Sequence, residues 1–390
     1  MRRVPFNENS RVKIPALVHL SRLNWQYVSV KETPVSDFDL RTNIYFPSFK
    51  KALSFLNNDR KYDDTALALY YSGRLSVALD ADDKGRQFYE YLQDGLDGVQ
   101  LIDLKNAENN IYEYMTELPC GRKPDGEDAD DTFRPDITLF VNGLPLVFIE
   151  VKKPNNKEGI IAEQNRMAVR NANRKFRRFI NITQLMIFSN NQEYDDTEIE
   201  PVTGAFYATT SYDKPFFSRF REPDENTHIF DEIEPVDPEK ENYILRDTNL
   251  VSIADTPEYT TNKSPRTPTN RILTSLLSHE RFIFLLMYGF AYVERKIKTT
   301  DENGIETESE ITEIQKHVMR YPQFFATKAI EKYLDEGNRH GIIWHTQGSG
   351  KTALAYHNVH FLTDYYQKKN TIARFYFIVD RLPVNSVHED

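Results

Sequence analysis

The 390-residue sequence predicts an α/β protein. A small mixed-sheet core comes first, then a linker and helical region, then the start of a parallel α/β lobe. Three observations carry that prediction. Two apolar, β-rich runs flank Asn142-Gly143, a residue pair that supplies the positive φ angles of a tight hairpin turn. A helix-compatible run and the apolar stretch "QLMIFSN" (184–190) follow, so strand, hairpin strand, helix and strand succeed one another. Much later, strand-like "GIIW" leads into glycine-rich "HTQGSGKT" and then into helix-compatible "ALAYHNVHFLTDYY".

From the N-terminus, "RVKIPALVHLSRLNWQYVSV" (11–30) suggests a short helix and then a strand. Residues 47–93 read as helical in pieces; Phe49, Ala52, Leu53 and Leu56 recur at helical spacing. "NIYEYMTEL" (110–118) is strand-like, and "CGRKPDGEDADD" (120–131), rich in Gly, Pro and Asp, reads as an exposed loop. The hairpin occupies "FRPDITLFVNGLPLVFIEVKKP", followed by one polar helix over about 160–180. "GAFYATT" is strand-like, and a linker is expected around 250–270. Residues 271–294 suggest one or two buried helices, and 299–310 a polar loop or hairpin. From 314 a helix, a strand and the glycine-rich loop begin a further unit, with another strand at "RFYFIVD" (374–380). The expected parts are therefore 1–250, with its sheet core at about 108–192, then 251–312, then 313–390.

With 39% apolar and 28% charged residues the chain reads as soluble and globular. A net charge of −10 argues against nucleic acid coating the whole length, but it leaves room for a local basic groove. Cys120 is the single cysteine, which excludes an internal disulfide and suits a reducing, cytoplasmic setting. The N-terminus lacks the apolar stretch of a signal peptide. The most apolar run, "FIFLLMYGFAYV" (282–293), is too short to span a bilayer and reads as a buried core helix, so no membrane association is expected.

Asp136 opens the first hairpin strand, and Glu150 and Lys152 end the second. Residues two apart in a strand share a face, so Glu150 and Lys152 point the same way, behind Leu146 and Phe148. Charges ending an apolar strand belong at a rim, where desolvation is least costly. Asp136, Glu150 and the carbonyl of Val151 are oxygen donors suited to Mg²⁺. Such an ion would activate water toward a phosphodiester, with Lys152 orienting the water and offsetting charge on the phosphate. An acid-x-Lys triplet also occurs at Asp82-x-Lys84, Asp103-x-Lys105 and Glu294-x-Lys296, as solvated charges. The 150–152 triplet differs because it ends an apolar strand, joins by hairpin to Pro135-Asp136, and precedes a basic helix. In that helix Arg166, Arg170, Arg174 and Arg178 recur every fourth residue as one stripe, Lys175 and Arg177 add charge, and no acid occurs from 164 to 180. The stripe suits the phosphates of double-stranded DNA; the alternative is a solvated helix face.

"HTQGSGKT" fits the phosphate-loop pattern except that His345 stands at its first glycine. The N–H groups of Gly348, Ser349, Gly350, Lys351 and Thr352 would cradle the phosphates of ATP. Lys351 would reach the β/γ-phosphates and the Thr352 hydroxyl would bind Mg²⁺. Asp380 is followed by Arg381 in an early strand, so it does not read as the second magnesium-binding acid. This chain alone is therefore expected to hydrolyse ATP poorly or not at all.

These segments together resemble a known family. Asp136 with Glu150-x-Lys152 looks like the PD-(D/E)xK nuclease motif, and 321–334 with "GIIWHTQGSGKT" looks like the first two motifs of a superfamily 2 helicase. The combination, over about residues 8–381, is similar to the R subunit of type I restriction–modification enzymes. The resemblance implies a restriction-endonuclease-like core and a RecA-like lobe. It implies Asp136 and Glu150 as metal ligands, Lys152 as the catalytic lysine, and Gln164 in the site, with Ala168 where the family often has tyrosine. Glu8 would be a further acid from the N-terminal helix. Gln323 would read adenine; Gly348, Gly350, Lys351 and Thr352 would form the phosphate loop; and "VDR" (379–381) would be the next helicase motif. It also implies ATP-driven DNA translocation, cleavage at a distance, and methyltransferase and specificity subunits as partners. The family continues through two motor lobes, so a fragment is expected. Two other readings remain: a DNA-stimulated ATPase whose N-terminal unit only binds DNA or docks partners, and a small-molecule kinase using the phosphate loop.

Overall fold

The computed structural model describes residues 7–121, 132–156, 158–194, 203–211, 213–300 and 306–378, with backbone alone at 295–300 and 306–312. Most of the expected loop at 120–131, the "VDR" segment and the tail beyond it lie outside the described residues. The chain forms two compact units, Met1–Tyr321 and Pro322–Asp390.

The first unit opens with a π-helical turn, Asn9–Lys13, continuous with α1 (Ile14–Arg22); Pro15, which has no N–H to donate, follows directly on that widened turn. After β1 (Gln26–Tyr27) come α2 (Phe46–Leu56), α3 (Thr65–Ala78), capped by the Asp64 carboxylate, and α4 (Arg86–Asp94). Then follow β2 (Tyr112–Thr116), β3 (Ile137–Val141), β4 (Leu144–Val151), α5 (Glu158–Ala172), α6 (Arg177–Ile182), β5 (Leu185–Ser189) and β6 (Ala205–Ala208). The six strands form one mixed sheet in chain order; β1–β2 and β4–β5 pair parallel and the rest antiparallel. The expected hairpin is therefore the centre of the sheet.

Its turn is buried. Asn142 and Gly143 take φ of 53° and 75°, and a Cβ on Gly143 would meet the Tyr45 carbonyl oxygen at 2.3 Å, so only glycine fits. Every residue of β4 is buried, which explains its near-continuous apolar run. On one face Phe148 packs edge-to-face against Phe133 and Phe188 and tilts against Phe179, under α5 and α6. The hydroxyl of Tyr114 donates to the Leu17 carbonyl, and the Ser189 and Thr269 hydroxyls share a hydrogen bond, so α1 and the later helices cover other parts of the sheet.

Three expectations need correction. The single helix over 160–180 is two, because Asn173 leaves helical geometry and its side chain caps the Lys175 N–H. Residues 251–270 are no bare linker. α7 (Pro238–Asp247) leads to α8 (Pro257–Asn262), where Tyr259 is fully buried, and then to α9 (Pro268–Leu277) and α10 (His279–Phe284). The Trp25 indole donates to the Leu277 carbonyl and His19 bonds Thr274, tying α9 to α1 and its following loop. The apolar run 282–293 is helical only to Gly289; from Phe290 it becomes β7 (Phe290–Thr300), paired with β8 (Glu306–Val318) in a two-stranded ribbon. Aromatic and β-branched "FAYV" favours a strand once a partner is available.

The second unit contains α11 (Tyr321–Asp335, its first residue belonging to the preceding unit) and α12 (Lys351–Gln367). Strands expected at 341–344 and 374–380 are absent among the described residues. A strand needs a ladder partner, and neither segment has one: Ile342 is 93% and Trp344 89% exposed.

Candidate active site and glycine-rich loop

The end of β4 and the start of β3 meet as the hairpin requires. The Val151 N–H donates to Asp136 Oδ2 at 2.9 Å, fixing that carboxylate beside Glu150 and Lys152. Lys13, from the N-terminal helix, pairs with Asp136 Oδ1 at 3.3 Å and with Glu117 at 2.5 Å. Lys152 Nζ donates to the Val151 carbonyl at 3.0 Å and lies 3.5 Å from Glu150 Oε2 and 3.2 Å from Glu163 Oε1. Glu150 is 5% exposed, and its Oε1 is buried without a hydrogen-bond partner.

Burial, then the nearby Asp136 and Glu163, holds the Glu150 carboxyl well above the usual carboxylate range, against the pull of Lys152 and Arg170. Burial opposes the charge on Lys152, but Glu150, Glu163, Asp136 and Glu8 together keep its ammonium above its ordinary value. Burial and then Asp136 raise the Glu8 carboxyl, while Lys152 and Lys13 lower it.

Glu163 escapes sequence reasoning. It is 1% exposed and faces Lys152, Arg166 at 2.5 Å and Arg170 at 3.7 Å. Its signal was positional: Ile160, Glu163 and Met167 are the buried face of α5, so an acid stood in an apolar helical register. Gln164, one residue on, turns elsewhere and donates to the Pro215 carbonyl at 2.8 Å.

The six basic residues do not form one stripe. Arg166 and Arg170 turn to Glu163, with Arg170 also stacked 3.6 Å above the Phe133 ring. Beyond the break at Asn173, Arg178 grips Asp80 through two hydrogen bonds of 2.7 and 2.6 Å, and Arg177 reaches the Asp80 carbonyl and Asp82. Acids distant in sequence thus supply what 164–180 lacks. Arg174, Lys175 and Arg178 line a cleft of about 330 Å³ with Arg41 and Asp80.

A hard divalent ion fits the carboxylate site. The orphaned Glu150 Oε1, Asp136 and the Val151 carbonyl are oxygen donors, and Mg²⁺ takes few protein ligands and keeps several waters. Among the described residues no group of three or more His, Cys, Asp and Glu side chains is arranged as a metal site, so two carboxylates and water would have to suffice.

In the second unit the glycine-rich loop is shaped by local turns. Gly348 and Gly350 take φ of 79° and 85°, Ser349 Oγ donates to the Thr346 carbonyl at 2.8 Å, and α12 starts at Lys351, followed by an exposed Thr352. Lys351 Nζ folds back onto the carbonyls of His345 and Thr346, at 3.0 and 3.3 Å. Gln323, on α11, donates to the carbonyls of Ser349 and Gly350 at 3.3 Å, so it braces the loop.

Comparison with known proteins agrees with this architecture. Residues 5–195 match the family described as Type I restriction enzyme R protein N terminus, and residues 316–387 match Type III restriction enzyme, res subunit. The chain therefore carries an R-protein N-terminal region of the type I restriction enzymes, followed by a helicase-type segment. A Methanocaldococcus jannaschii relative bearing the name of a type I restriction enzyme endonuclease subunit, MjaVIIP, is 26% identical over 311 residues, 75% of this chain and 23% of its own length. A second from that organism, MjaVIIIP, is 25% identical over 351 residues, 87% and 26% of the two chains. The Haemophilus influenzae HindI endonuclease subunit is 27% identical over 165 residues, 38% and 15%. The chain thus spans about a quarter or less of the length of these relatives. No helix among the described residues is long and apolar enough to cross a membrane.

Proposed function

We propose that Asp136, Glu150 and Lys152 form the Mg²⁺-dependent nuclease centre of a PD-(D/E)xK domain. The chain would work as part of a type I restriction R subunit, which cleaves duplex DNA after ATP-driven translocation when joined to methyltransferase and specificity subunits. The observation that carries this reading is the buried, unpartnered Glu150 Oε1 beside an Asp136 held in place by the Val151 N–H. A buried carboxylate oxygen without a donor calls for a cation or a proton.

A divalent ion at Asp136, Glu150 and the Val151 carbonyl would supply Lewis-acid activation of water. Lys152 would orient that water and offset charge building on the scissile phosphate. Arg166, Arg174 and Lys175, all exposed, would meet backbone phosphates of the DNA. In the second unit, the N-terminus of α12 with Lys351 and Thr352 would hold the phosphates and Mg²⁺ of ATP in a RecA-like lobe, with Gln323 reading adenine. Asp136→Ala in the R subunit, assembled with its partners, should lower DNA cleavage by at least about 10²-fold, the scale on which a preorganised electrostatic contact acts. ATP hydrolysis should be retained. Unchanged cutting would end the nuclease assignment and favour a DNA-stimulated ATPase with a docking domain.

A further inference from the structure

Lys152 has a problem of charge traffic. Its ammonium touches the Val151 carbonyl, an oxygen that a divalent cation would claim, and Glu150 Oε2, on the carboxylate whose other oxygen would hold that cation. A cation arriving there must displace it, and a displaced ammonium in a buried site needs another acceptor. Glu163 stands on the other side, 3.2 Å away. The lysine stem runs along α5 at Gly159, where a Cβ would stand 3.1 Å from Lys152 Cγ, so the side chain is guided toward Glu163. Glu163 itself faces Arg166 and Arg170 as well, which leaves its oxygens turned to cationic side chains.

We propose that Glu163 is a holding acid for Lys152: it takes the ammonium when a divalent cation occupies the Glu150 carboxylate and the Val151 carbonyl. This positions the lysine at the edge of the site and frees the metal's donors. Glu163 is then a positioning residue, not a ligand. The inference rests on the metal-site reading of Asp136 and Glu150.

The test is Mn²⁺ binding to the 390-residue chain without nucleotide, followed by electron paramagnetic resonance; the component lost in Asp136→Ala reports this site. Glu163→Gln should weaken that component about tenfold, in line with couplings between contacting charged groups. Lys152→Met should tighten it, and in the Lys152→Met background Glu163→Gln should have less than about a twofold effect. Equal weakening in both backgrounds, or no weakening in either, overturns the proposal. Should Glu163→Gln fail to fold, Lys152→Met alone decides: tighter Mn²⁺ binding supports the proposal, and unchanged or weaker binding overturns it. If Asp136→Ala leaves all Mn²⁺ binding intact, the metal-site reading has failed instead, and the two failures are told apart.

Discussion

The carboxylate site and the glycine-rich loop are built in opposite ways. Glu150 and Lys152 stand at the end of a strand buried along its whole length, with Asp136 at the start of its hairpin partner, and side chains from the N-terminal helix and α5 reach them. The glycine-rich loop depends on turns made within 345–352 and on Gln323, while the segment leading into it lies bare. A site fixed by a closed sheet is determined by tertiary packing. A glycine-rich loop before a helix is determined by φ angles and local hydrogen bonds, and it can form without its sheet. The glycine-rich pattern is therefore legible at sight, whereas the full membership of the carboxylate site is not.

Core truncation should separate the two regions most widely. Phe148→Ala, inside the aromatic cluster, should destabilise the first unit by about 3–5 kcal/mol, whereas exposed Ile342→Ala should stay within about 0.5 kcal/mol. Urea denaturation, with fluorescence assigned to each unit, measures both, and equal effects would erase the distinction. Glycine substitution should give a smaller contrast. Gly143→Ala combines a left-handed φ with collision against the Tyr45 carbonyl and should cost about 3 kcal/mol or more. Gly348→Ala has the same φ penalty but open space around it, so about 1–2 kcal/mol is expected from the same denaturation curves.

The smallest effect should be a dependence on pH. The folded-state pKa of Glu150 is raised above its ordinary 4.5, so the folded chain keeps a proton that the unfolded chain has released. Its contribution to stability is present below about 4.5 and is lost as pH rises toward the raised value. Glu150→Gln should remove that slope, flattening the urea midpoint as pH rises from 4.5. An unchanged slope in the variant would show that the carboxylate cluster is better solvated than its geometry implies.

Much of the first unit was readable because its signals are local. Asn142-Gly143 with apolar runs on both sides specifies a hairpin, and one buried strand after a helix specifies the next pairing. Asp136, Glu150 and Lys152 follow from that hairpin by strand alternation. Lys13, Glu117 and Glu163 do not, because they arrive through helices and strands whose packing is set by the whole core. The arginine stripe failed for a local reason, the Asn173 cap, and a distant one, the acids Asp80 and Asp82. Strands at 341–344 and 374–380 failed because a strand is a property of pairs of segments.

The Asn142-Gly143 turn also bears on how the protein ages. In a loose loop this dipeptide cyclises readily, the glycine nitrogen attacking the asparagine amide carbon and expelling ammonia. Here the Asn142 amide donates to the Leu101 carbonyl and to Asn110, and accepts from the Ile111 N–H, in full burial. The ring closure would have to break all three contacts. At Asn142-Gly143 this damage-prone dipeptide is thereby placed where the fold itself protects it.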